Sequence, residues 1–149
     1  MNIHCISSQS ALPISEEKVE RLVEAFLKWK SIRIDEVTLH FVNKEEISHL
    51  HDLYFNDPSP TDCISFPIDD PMEEGYIVLG EIFVCPEVAL DYLTKKGGDP
   101  YEEVSLYITH GLLHLLGFDD QNPEDIQIMR GEEKSAINYF REHDLLLSQ

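Results

Sequence analysis

Residues 101–120 read YEEVSLYITHGLLHLLGFDD, and the run from Tyr101 to about Leu116 sets the architecture. Val104, Leu106, Tyr107, Ile108, Leu112, Leu113, Leu115 and Leu116 spread over nearly the whole circumference of a helix. A helix apolar on almost every side belongs in the middle of a domain, with other elements packed around it. At about 100° per residue, His110 and His114 lie about 40° apart, flanked by Tyr107 on one side and by Leu106 and Leu113 on the other. Two imidazoles therefore share an otherwise apolar face.

A single histidine in such surroundings is ordinarily a core residue satisfied by hydrogen bonds. Two at i,i+4 are harder to accommodate, because each neutral ring needs partners for two nitrogens and protonating both would bury like charges together. A divalent cation answers both difficulties, since imidazole is a common metal ligand and this spacing aims both side chains at one point beside the helix. Gly117 lets the helix stop and the chain turn sharply back through Phe118, Asp119 and Asp120. Such a turn can carry an oxygen ligand from beyond the helix to the open side of the ion. Three protein ligands leave a fourth position for water, whose pKa on zinc falls to about 7.

Outward from this helix, periodicity supplies the other elements. Ser15 caps a helix whose apolar stripe is Val19, Leu22, Val23, Phe26 and Leu27. Val37, Leu39 and Phe41 alternate with Thr38, His40 and Val42 as a strand does, and Asn43-Lys44-Glu45-Glu46 caps a second helix carrying Ile47, Leu50, Leu53 and Tyr54. The chain is thus expected to begin helix, strand, helix. Beyond the turn-rich Asp57-Pro58-Ser59-Pro60, a strand is expected through Cys63–Phe66. An acidic loop follows over Asp69–Gly75, then a β-rich segment from Tyr76 to Cys85 as the sheet neighbour of that strand. Pro86 to Lys96 reads as a short helix stopped by Gly97-Gly98, with Asp99 and Pro100 at the cap and first position of the central helix.

Residues 1–149 fit one domain, with no repeat or low-complexity tract. Eleven Lys plus Arg against 29 Asp plus Glu give a net charge of −18, so a bare polyanion is repelled over most of the surface. Generic nucleic-acid binding, DNA included, is not expected. An RNA substrate would need a local patch, a bound cation or a partner that delivers it. Lys28, Lys30 and Arg33, and Lys95 with Lys96, are the candidate basic spots, although ordinary solvated charges explain them more simply. The N-terminus lacks a basic region followed by a long apolar run, and no stretch approaches a membrane span. Cys5, Cys63 and Cys85 are odd in number and widely spaced, as in thiols kept reduced. A cytoplasmic protein with no membrane contact is expected.

The segment HGLLHLLGFDD, residues 110–120, resembles the signature HGxLHLxGYDH of the YbeY family of ribosomal-RNA maturation factors, described as zinc-dependent single-strand endoribonucleases. Thr61-Asp62-Cys63-Ile64-Ser65-Phe66-Pro67 is similar to the family's TDVLSFP, and Leu79-Gly80-Glu81-Ile82 to its LGDI. Met129 and Glu133 fall where the family has a methionine and a glutamate. The resemblance covers about residues 37 to 140. It implies an α+β fold, a mixed sheet of about four strands with about five helices and a metal site on the central helix.

Two positions differ from the family pattern. Its third ligand is a histidine where this chain has Asp120, so the implied ligand set is His110, His114 and Asp120. Its arginine after the tyrosine of LNxxYR is here Phe55, following Leu50, His51 and Tyr54. An aspartate binds zinc at a similar distance, and two histidines with one carboxylate also suit ferrous iron; one Zn2+ per chain is expected, with Fe2+ as the alternative.

The implied activity is phosphodiester hydrolysis in single-stranded rRNA during ribosome biogenesis, on the small ribosomal subunit or with a protein partner. No general base stands out. Glu133 and Glu81 are candidates for orienting a histidine or the water, though a purely structural hydrogen bond is the simpler reading of each, and Asp119 is expected to cap the turn. A zinc peptidase would also place two histidines on a helix before a glycine turn, but Gly111 stands where those enzymes carry their glutamate base. A non-catalytic ribosome assembly or quality-control factor with a structural metal is the other alternative.

Overall fold

Nine elements make up the computed structural model, which describes residues 1–149. In chain order they are β1 (Asn2–Ser7), α1 (Glu16–Trp29), β2 (Glu36–Phe41), α2 (Lys44–Phe55), β3 (Cys63–Pro67), β4 (Val78–Val84), α3 (Pro86–Lys96), α4 (Pro100–Leu115) and α5 (Pro123–Glu142). The strands form one mixed sheet in the order β1-β2-β4-β3. The β1–β2 and β2–β4 pairs run parallel, and β3 lies antiparallel to β4 with Cys63 opposite Val84 and Pro67 opposite Gly80. This is the α+β architecture expected, a four-stranded mixed sheet with five helices. One expectation fails: the chain begins with a strand, not a helix.

Local chemistry explains the helix starts. The Ser15 hydroxyl accepts from the Lys18 amide at 3.3 Å, Asn43 Oδ1 from Glu46 at 2.9 Å, Asp99 Oδ1 from Tyr101 at 2.9 Å and Asn122 Oδ1 from Asp125 at 2.9 Å. Pro100 and Pro123 occupy first-turn positions, where a missing N–H costs nothing.

The helix α4 lies at the centre. Val104, Ile108, Leu112 and Leu113 are fully buried in the main core with Phe26 of α1, Leu39 and Phe41 of β2, Ile82 of β4 and Phe140 of α5. Each large apolar side chain so buried contributes roughly 1.5–3 kcal/mol before entropy is counted. Gly111 brings α4 against the sheet: a Cβ there would stand 2.6 Å from Cγ2 of Ile82, and the Ser65 hydroxyl donates to the Gly111 carbonyl at 3.0 Å. A smaller cluster of Val42, Ile47, Ile64 and Cys85 seats α2. No helix is long and apolar enough to cross a membrane.

Candidate metal centre

His110 and His114 leave the same face of α4 with their rings at 85° and their Nε2 atoms 3.0 Å apart. After α4, Gly117 takes φ +99°, a conformation that disfavours any side chain, and the chain folds back. That reversal sets Oδ2 of Asp120 3.4 Å from both Nε2 atoms. The three side chains named by the sequence thus come together. Asp119 Oδ1 accepts from the Asp120 amide at 2.8 Å, which tightens the turn as anticipated.

The opposite nitrogens of the two rings determine what this cluster can hold. His114 Nδ1 lies 3.0 Å from the carbonyl oxygen of Phe118, which can only accept, so the proton sits on Nδ1. His110 Nδ1 lies 2.8 Å from Oε2 of Glu133, again an acceptor when ionised. In the neutral rings both Nε2 atoms therefore present lone pairs to one another, with a carboxylate oxygen beside them and no hydrogen between. Three acceptors this close repel unless a proton or a metal cation joins them. Three donors about 2.0–2.1 Å from a tetrahedral zinc ion lie about 3.3 Å from one another, close to the spacing found here. Histidine and carboxylate donors that already hold this triangle suit such an ion.

The surrounding field favours positive charge. Burial works against the charged form of His110, but the hydrogen bond and charge of Glu133, with the carboxylates of Asp62 and Asp120, outweigh it and hold the ring's pKa above the ordinary 6.5. Burial, then Asp62, Glu133 and Asp120, push the neighbouring Cys63 thiol well up, so it stays protonated and is a poor nucleophile. Cys85 is buried as a small core residue, while Cys5 and Cys63 are only partly so.

Other residues singled out in the sequence are distributed differently. Glu133, 8% exposed, is the partner of His110, whereas Glu81 pairs with Nε2 of His40 at 2.8 Å and takes no part in the cluster. Lys28 pairs with Glu24, Lys30 with Glu132 and Arg33 with Asp35, so that basic spot is already matched by acids. Two contributors went unmarked by sequence reasoning: the main-chain carbonyl of Phe118, which has no side-chain signature, and the charge of Asp62. Asp62 lies inside the quoted TDCISFP string, whose polar start before an apolar strand was its only signal.

Residues 4–141 match the family described as Endoribonuclease YbeY. A protein of that name from Protochlamydia amoebophila is 40% identical over 145 residues, covering 97% of both chains. Its namesake from Chlamydia abortus is 41% identical over 149 residues, covering 97% of this chain and 94% of that protein. The solution structure of a Thermotoga maritima protein covers 99% of this chain and 97% of its own at a TM-score of 0.61. At 23% identity, that likeness speaks for the fold.

Proposed function

The chain belongs to the YbeY endoribonuclease family, and from that premise we propose that it hydrolyses phosphodiesters in single-stranded rRNA with one zinc ion held by His110, His114 and Asp120. The observation that carries the reading is the meeting of two Nε2 atoms and a carboxylate oxygen, 3.0 to 3.4 Å apart, with an acceptor on each Nδ1 that turns both Nε2 atoms toward the shared centre. Bound there, the ion would supply a Lewis acid for a phosphoryl oxygen and a water of lowered pKa.

The chain's own residues do the positioning. Glu133 fixes the Nδ1 proton of His110, turns its Nε2 toward the cluster and makes that nitrogen more basic. The Phe118 carbonyl does the same for His114. Asp120 brings a charge as well as a donor, so the set matches zinc, with ferrous iron its competitor. Gly111 stands where a zinc peptidase of this motif carries its glutamate base directly after the first histidine, which speaks against peptide hydrolysis. We place the work in the cytoplasm during ribosome biogenesis, on the small subunit or with a protein partner that offsets the −18 charge.

The test compares the wild-type chain with His114→Ala, each with and without chelator, on single-stranded RNA and on casein, with metal content read by elemental analysis. Expected is RNA cleavage by the zinc-loaded wild type alone, loss of stoichiometric metal in the variant and intact casein throughout. Retained metal in His114→Ala would sink the ligand assignment. A zinc-loaded wild type that cleaves no RNA would leave the assembly-factor alternative.

A further inference from the structure

The cluster stands at the seam of two cavities of about 570 and 580 Å³, which share Thr61, Asp62, His110 and Asp120. Their chemistry differs. Around the second, no lysine or arginine contributes, while Phe55 and His51 do. Phe55 is the last residue of α2 and 57% exposed, its ring 5.7 Å from that of His51. His51 in turn is oriented by donating Nδ1–H to the Ser59 carbonyl at 2.8 Å. The first cavity contains one lysine or arginine, Arg130. Arg33 and Arg141 are matched by Asp35 and Glu102, but Arg130 has no carboxylate partner.

Building on the nuclease reading above, we infer that a single-stranded substrate is held by unlike chemistry on the two sides of the cluster: a base stacked on Phe55 in one cavity, and a backbone phosphate on Arg130 in the other. A strand of net negative charge entering a cavity lined by no lysine or arginine, on a chain of charge −18, gains little from side-chain phosphate contacts away from the metal ligands. Its bases can still gain, because each has a π face and stacking on an exposed aromatic ring needs no positive charge. Asp62, Glu103, Asp120 and Glu133 line the same cavity, yet Arg130 forms no ion pair with any of them, so its paired N–H groups are left to match phosphate oxygens. A strand reaching from one grip to the other must cross the His110–Asp120 seam, which brings a phosphodiester to the metal ligands. Exposed and outside the core, both side chains can be replaced without unfolding the chain.

The experiment measures binding of a short oligoadenylate, protected from cleavage by 2′-O-methyl groups, to the zinc-loaded full chain by fluorescence anisotropy. Phe55→Ala should weaken binding about tenfold and Phe55→Trp should restore it. With an abasic nucleotide walked along the strand, one position should cost the wild type about the same factor and abolish the difference between wild type and Phe55→Ala. Arg130→Ala should lower the slope of log affinity against log salt by about one, whereas Phe55→Ala leaves that slope unchanged. The inference is overturned if Phe55→Ala binds like wild type, if its loss persists on every abasic strand, or if Arg130→Ala keeps the full salt slope. Cleavage of unprotected RNA is scored separately. RNA cleaved by a wild type whose Phe55 shows no coupling to a base overturns this inference and keeps the nuclease reading. Full coupling without cleavage does the reverse.

Discussion

At His110 and His114 the decisive atoms are the ones turned away from the cluster, because an acceptor on each Nδ1 dictates which nitrogen can bind a cation. In metal-free protein the raised pKa of His110 makes its proton a source of stability. That contribution is whole below the unfolded value near 6.5 and disappears as pH rises through the higher folded value. Glu133→Gln removes the negative charge that favours the charged ring, while burial still opposes it, so the His110 ring of the chelated variant should titrate lower than in wild type. Ring C–H shifts followed by NMR check this, and an unchanged titration would show that Glu133 does not control the ring. The histidine pair and the glycine turn were legible because i,i+4 spacing and positive φ are local rules. Asp120 was placed by resemblance, and the role of Glu133 became definite only in the fold, since its 23-residue separation from His110 carries no local signal.

Among the elements, α4 is set against the sheet so closely that one methyl group matters. Gly111→Ala gains about 1 kcal/mol of intrinsic helix propensity, but its Cβ would meet the branched Cγ2 of Ile82 at 2.6 Å and Oγ of Ser65 at 3.3 Å. A β-branched side chain in a packed sheet yields little, so a net loss of about 1–3 kcal/mol is expected in urea denaturation; a stabilised variant would contradict the packing described. Seven elements, α1 through α4 and β2 through β4, follow from periodicity and capping. The strand β1 did not: it is an edge strand, paired only with β2, and most of its residues are exposed, so its alternation is faint. The helix α5 hides its stripe differently. Its buried residues Met129, Glu133, Ala136 and Phe140 keep helical spacing, yet one is a carboxylate, and that is the residue that reaches His110.

For the whole molecule, the −18 charge and the acidic surroundings of the cluster lead to one conclusion: cations are drawn in and a bare RNA strand is not. Composition made that charge legible from the start, but not where Phe55 and Arg130 would stand relative to the cluster, because they come from α2, which packs on β3, and α5, which packs on α4, and flank the cluster only in the fold. Central to the account is a cation joining His110, His114 and Asp120. The most direct measurement is anomalous scattering at the zinc edge from crystals of the protein purified without chelator. The account predicts one strong peak about 2.0–2.2 Å from Nε2 of both histidines and from an Asp120 oxygen. A map with no peak between the two imidazoles, or with the metal bound by other residues, would contradict it.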